Sequence, residues 1–283
     1  MKRKSKKGFW YRYSRNRLAV FGLCFLVFIS LVAILADVVA PYGYDDQNVV
    51  ERLEAPSLKH PFGTDKLGRD VFSRMIYGAR ISLGVGIAST FIGTFIALII
   101  GMIAGYYGKW VETAIMRITD VFLAIPSILL AIGISAILGG GVVSMLIAIS
   151  VGSIPGVSRL IRALVMTERN QEYIEAARTT RASDLRIMIR HILPNIMPTL
   201  IVTMTLGFAG GILSASTLSF IGLGAQAPIP EWGALLSEGR ANIRNCAYLV
   251  TYPGIAIMLT VFSFNMLGDG VRDALDPKLR GRK

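Results

Sequence analysis

Six long apolar runs, separated by polar stretches of unequal length, organise this chain. They cover about Leu18–Ala40, Ser82–Tyr106, Thr113–Leu138, Val142–Leu164, Ile196–Ile221 and Ala247–Leu267. Each exceeds the roughly 18 apolar residues that mark a membrane span. The pattern therefore predicts an all-α polytopic membrane protein with six transmembrane helices. Pro41 closes the first span, Gly139-Gly140-Gly141 makes a tight reversal, and Pro126 is expected to kink the third span. The second span carries Gly84, Gly86, Gly93, Gly101 and Gly105, and the four-residue spacing of the last two lets a neighbouring helix approach closely.

The polar stretches differ in character. Residues 41–80 hold six acids and six bases, read as a largely solvated connector, and 222–246 are polar with Pro228, Pro230 and Trp232. Arg117 and Asp120, three apart near the start of the third span, can pair along one helix face. The stretch at 166–195 is long for a loop between spans, and such loops are more often functional than passive. Two short helices are predicted in it, Gln171–Thr180 and Ser183–Leu193, the second with Leu185, Met188, Ile189, Ile192 and Leu193 on one apolar face. Ser183 suits its N-cap, Asp184 its positive N-terminus, and Pro194 a break before the next span. Periodicity alone is equally consistent with helices that rest on the bilayer surface.

Composition and charge then orient the chain. With 53% hydrophobic residues and a mean hydropathy of +0.56, it is too apolar for an ordinary soluble domain. The net charge of +12 has no aromatic interleaving of the kind that binds nucleic acid. Both termini, the 107–117 region and the 159–190 segment hold 22 Lys and Arg residues, against 8 on the opposite side. The positive-inside rule places the larger set, and with it both termini and the 166–195 loop, in the cytoplasm. The basic start MKRKSKKGFWYRYSRNR resembles a signal-peptide n-region, but the apolar run after it exceeds the usual h-region of about 7–15 residues and is read as a retained span.

Candidate chemistry within the chain is sparse. Cys24, Cys246, His60 and His191 stand apart, offering no disulfide framework or metal set. No G-x-x-x-x-G-K-[ST] pattern is present to hold nucleotide phosphates. Ser214, Ser216 and Ser219 offer hydroxyls in the fifth span, but no histidine falls in any predicted span to activate one. A stand-alone secondary transporter would be expected to place ionisable groups at mid-membrane, and the centres of spans 2, 4, 5 and 6 contain none.

Glu175-Ala176-Ala177, followed at a fixed interval by Leu193-Pro194, resembles the EAA loop of bacterial ABC importer permeases. The run EAARTTRASDLRIMIRHILPN, the HPFGTD and LGRDVFSR stretches and the closing LGDGVRDALDPKLR are similar to the dipeptide, oligopeptide and nickel branch, second-permease type. The resemblance implies the type I importer permease fold, with a coupling helix at 166–195 that docks on an ATP-binding subunit. It implies Glu172, Glu175, Ala176, Ala177, Arg178, Arg181, Ser183 and Asp184 as docking residues. Arg181 stands where the family usually has Gly, so the family's turn geometry is not carried over to this position. The implied division is a basic cytoplasmic N-terminus (1–17), a first span (18–40), an extracytoplasmic connector (41–80), a five-helix ABC-type domain (81–268) and a cytoplasmic tail (269–283). Implied partners are a homologous second permease, two ATP-binding subunits and an extracytoplasmic solute-binding protein, in the lipid bilayer of the bacterial cytoplasmic membrane. The chain itself is expected to hold no cofactor, since ATP and Mg would be bound by the partner subunits. Import of di- or oligopeptides is the expected activity, with nickel or another small solute as the alternative.

Overall fold

Asn16 accepts a hydrogen bond from the Ala19 amide at 3.1 Å and so caps the first long helix. The computed structural model describes residues 9–275. Within them, α1 (Phe9–Tyr13) precedes α2 (Arg17–Ile34), and the run read to Ala40 is interrupted at Leu35 before the single turn α3 (Ala36–Val39). Arg80 donates to the Ala33 and Ile34 carbonyls at 3.0 and 3.1 Å, satisfying acceptors that the end of α2 leaves open. The basic residues 1–8 and the tail from Asp276 lie outside the described residues.

The second span begins much earlier than its apolar run. α4 (Val71–Tyr107) starts at an Asp70 cap whose carboxylate accepts from the Ser73 amide at 2.7 Å. Gly101 and Gly105 do bring a neighbour close. A Cβ on Gly101 would lie 2.6 Å from the Ser158 carbonyl, and one on Gly105 2.8 Å from the Arg162 carbonyl, both on α7 (Val142–Arg169). Gly84 is not part of this contact, having no atom within 4 Å of such a Cβ.

The third span is not one kinked helix. α5 (Lys109–Leu123) and α6 (Ser127–Ile137) are separate and meet at 85°. Pro126 supplies no amide and disfavours helical backbone at Ile125, so the turn opens fully. The Arg117–Asp120 pair expected along α5 does not form; Asp120 pairs with Arg159 and Glu112 with Arg162, tying α5 to α7. Gly139, Gly140 and Gly141, with φ of 85°, 73° and 92°, make the reversal into α7, which runs through Pro155 without a break.

The remaining helices are α8 (Glu172–Thr179), α9 (Asp184–Ile187), α10 (Leu193–Phe220), α11 (Trp232–Gly239) and α12 (Tyr248–Leu275). Among the described residues, five helical stretches are long and apolar enough to cross a membrane, and the α5–α6 pair is a sixth if counted as one bent span. One core cluster packs α4 and α12 around the fully buried Trp232, whose Nε1 donates to the Met75 carbonyl at 3.0 Å. A second cluster lies at the other end of α4, beneath α8 and α9.

The connector is solvated over 41–59, as expected, where most residues are exposed, but residues 60–70 before α4 are mostly buried. Thr64, Asp65, Arg69 and Asp70 are buried. Asp65 accepts from Arg69 and from Arg74, each at 2.7 Å, and Glu238 accepts from the same two guanidiniums at 2.7 and 2.8 Å. Two acids thus face two bases inside one cluster, the second acid coming from α11, which is how buried charge is tolerated.

Candidate functional site

Tyr106, at the end of α4, holds the 166–195 loop. Its hydroxyl donates to the Asp184 carboxylate at 2.7 Å, and the Arg178 guanidinium lies over its ring, 5.6 Å from the centroid. Arg169, at the end of α7, donates to the Gly105 and Tyr106 carbonyls at 3.2 and 2.8 Å. Two spanning helices and two loop helices thus converge at one residue. Sequence reasoning missed it, because a tyrosine at the end of an apolar run looks like an interfacial anchor.

α8 covers Glu172–Thr179 with Glu172 and Glu175 in its first turn, favourably placed against the helix dipole. Ile174 is fully buried in the core cluster and Arg178, one turn on, lies over Tyr106 on the same side, whereas Glu172, Glu175 and Ala176 are exposed away from it. Ala177, expected beside Ala176 on the docking face, is half-buried and packs against that cluster. On the inner flank, Asn195 donates to the Tyr173 hydroxyl at 2.7 Å and Tyr173 donates to Glu168. Burial first, then the bond to Glu168, pushes the Tyr173 phenol above its ordinary pKa.

Arg181 adopts the left-handed conformation, φ 56°, that the family's Gly would supply. The Arg181 amide bonds the Arg178 carbonyl at 2.9 Å and the Ala182 amide bonds the Ala177 carbonyl at 3.3 Å. This is the Schellman pairing, with Arg181 at the C′ position and Ala182 meeting Ala177 in the core cluster. The turn is kept despite the side chain. Ser183 follows as the N-cap of α9 with extended backbone, φ −66° and ψ 150°, but its side chain makes no cap hydrogen bond. Arg181, Ser183, Asp184 and Arg186 are all exposed.

Pro194 does not break the chain. Helix continues from Asp184 to Phe220, because residues Met188–Ile192 form a π-turn in which the Leu193 amide bonds the Met188 carbonyl. The wider turn makes room where a proline ring would collide with the preceding turn. It also shifts the buried face. Ile187, Met188, Ile192, Ile196 and Leu200 are buried, while Leu185 and Ile189, expected inside, are 63% and 56% exposed. These two apolar side chains flank the exposed face of the loop.

A cavity of about 280 Å³ lies among α4, α6, α7 and α10. Thr90, Thr94, Ser153, Thr203, Gly207 and Ser214 are among its lining residues, so small and hydroxyl-bearing side chains face it. Gly207 and Gly211 are required by the close approach of Thr90 to α10. No group of three or more His, Cys, Asp or Glu able to hold a metal occurs among the described residues.

Residues 97–281 match the family described as "Binding-protein-dependent transport system inner membrane component", and residues 7–56 match the "N-terminal TM domain of oligopeptide transport permease C". The chain is 47% identical to the dipeptide transport system permease protein DppC of Alkalihalophilus pseudofirmus, over 94% of this chain and 88% of that one. It is 46% identical to the glutathione transport system permease protein GsiD of Escherichia coli O157:H7, over 96% and 90%. Its fold is similar to a chain of the MetNI methionine ABC transporter in an inward-facing conformation, with a TM-score of 0.60 and 20% identity over 72% of this chain and 97% of that one.

Proposed function

From the fact that this chain belongs to the family of binding-protein-dependent transport system inner membrane components, we propose that it is the permease through which an ATP-driven importer moves di- or oligopeptides. Membership makes the chain a multi-pass membrane permease of an ABC importer, working with ATPase subunits and not itself catalytic. Peptides are favoured because relatives of nearly equal identity carry the names of dipeptide and glutathione permeases.

The observation that carries the mechanism is the clasp at Tyr106. α8 and α9 offer an exposed acidic and small-residue face, Glu172, Glu175 and Ala176, on a rigid footing. Small side chains let a partner groove approach closely, and Glu175 can pair with a basic group there. The exposed Arg181, Arg186 and Ser183 widen the same docking face, with Ala177, Arg178 and Asp184 anchoring it from behind. A displacement of α8 by a closing ATPase pair is then passed to α4 through Tyr106 and to α7 through Arg169, and the spans rock about the small-residue cavity. Mg and ATP belong to those partner subunits.

The 22-to-8 distribution of basic residues supports a cytoplasmic loop with both termini on the same side. In that orientation residues 41–70 and α11 form an extracytoplasmic platform, where a solute-binding protein would deliver its cargo, and a homologous second permease would complete the path. The test is reconstitution in liposomes with the neighbouring permease, ATPases and binding protein. ATP-dependent accumulation of a labelled dipeptide is expected; accumulation driven by an ion gradient without ATP would reject the reading.

A further inference from the structure

At the coupling-loop end, a second cavity of about 390 Å³ opens between α5 and α7. Its volume falls within the range of about 300–1,000 Å³ usual for small-ligand sites. Arg117, Arg159 and Arg162 face Glu112 and Asp120 across it, three cations against two anions. Asp120 holds Arg159 and Glu112 holds Arg162. Arg117 has no ion-pair partner among the described residues, and the Nε of Arg162 is buried without a hydrogen-bond partner.

It shares α7 with the hydroxyl-lined cavity and lies nearer the loop end of that helix. Ser153 and Val157 line that first cavity, and Arg159 and Arg162 follow within three turns of the same helix. At 1.5 Å per residue, Arg159 lies about 9 Å from Ser153 along the axis. At about 3.6 residues per turn Arg159 and Arg162 lie on a different face of α7 from Ser153 and Val157, so a solute reaches them by passing round α7 toward the loop end.

We propose that this vestibule is a carboxylate-recognising exit site, in which Arg117 and Arg159 engage the side-chain carboxylate of an acidic solute; the proposal rests on the importer reading above. The guanidinium fork matches a carboxylate with two parallel hydrogen bonds, which neither lysine nor a hydroxyl reproduces. Asp120 is the resting counter-ion that an incoming carboxylate displaces from Arg159. That exchange costs little, because the Arg159 and Asp120 side chains are 53% and 46% exposed and ion pairs at such exposure are worth at most about 1 kcal/mol. The uncommitted charge on Arg117 makes the first contact.

The experiment uses the complete transporter in liposomes and three labelled dipeptides, Ala-Ala, Ala-Glu and Ala-Lys. Arg117→Gln, at an exposed position, is expected to lower the ratio of Ala-Glu to Ala-Lys import by about tenfold, the loss of one hydrogen bond between charged groups. Arg117→Lys is expected to recover part of that ratio. The binding protein is unaltered, so its own preference cancels between variants. Intact import with an unchanged ratio overturns the vestibule alone. Loss of the neighbouring permease on copurification of Arg117→Gln also overturns it, since the arginine would then be an assembly contact. Failure of the unaltered transporter to import any of the three peptides with ATP overturns the importer reading and the vestibule with it.

Discussion

The Tyr106 hydroxyl and the Asp184 carboxylate meet at 2.7 Å, joining the last turn of the longest spanning helix to the first turn of α9. The residues are 78 positions apart in the chain, so the bond is a tertiary link between a span and the loop. With Arg178 over the same ring, Tyr106 receives both halves of the loop at once.

Tyr106→Phe removes the donor and keeps the ring. The loop is expected to lose about 1.5–3 kcal/mol of local stability, the worth of a hydrogen bond to a charged acceptor. Hydrogen exchange across 172–184 should rise, and more ATP should be hydrolysed per solute imported. Unchanged exchange and stoichiometry would remove Tyr106 from the coupling path.

Arg181→Gly should stabilise the turn, because a non-Gly residue in the left-handed region carries a penalty of about 1 kcal/mol. Ala177, Arg178 and Ala182 would keep their places in the Schellman pairing. Arg181→Val should do the reverse, as a β-branched side chain tolerates positive φ least. Limited proteolysis of the loop ranks the three, with Gly the most resistant.

The six-span order was legible because apolar runs longer than about 18 residues have few other interpretations. The two loop helices were legible for the same kind of reason, through periodicity and the EAA spelling. Three features were not. The π-turn at Met188–Ile192 changes the helical phase, which a fixed 3.6-residue period cannot register, so Leu185 and Ile189 were placed inside and Ile187 was not. Pro126 reads equally as a kink or a full turn, since only the packing of α5 on α7 decides which. The burial of residues 60–70 at the end of an otherwise solvated connector was hidden because Arg69 and Arg74 pair with the distant Glu238, a partner that no local pattern reveals.

That distant pairing makes Asp65→Asn informative. It leaves the Arg69 and Arg74 guanidiniums, 3% and 1% exposed, with less compensating charge. A loss of about 3–5 kcal/mol is expected, the usual cost of breaking a buried pair from one side. Thermal unfolding in detergent measures it, and a change below about 1 kcal/mol would mean that Glu238 alone suffices.

Glu51 gives the platform a pH response. Its bond from Lys59, then that from His60, holds its carboxyl below the usual carboxylate range. A lowered acid pKa contributes stability above the ordinary value of about 4.3, and loses it as pH falls through the lowered one. Lys59 is raised by the same bond, so its share persists until pH passes above about 10.4. Hydrogen exchange at 51–60 should therefore be flat with respect to Glu51 from pH 5 to 8 and accelerate only below about pH 4, an effect absent in Glu51→Gln.

The central claim is that the exposed acidic face of α8 receives the force of ATP hydrolysis, and Glu175→Lys tests it most directly. Glu175 is exposed, so the substitution should change stability by no more than about 0.5 kcal/mol. In liposomes holding the complete transporter, ATP hydrolysis and labelled-dipeptide import are followed together. The account expects import to fall at least about tenfold, with hydrolysis either uncoupled from it or lost with the ATPase subunit, while thermal unfolding of the permease is unchanged. Import and solute-stimulated hydrolysis at the level of the unaltered protein would contradict it.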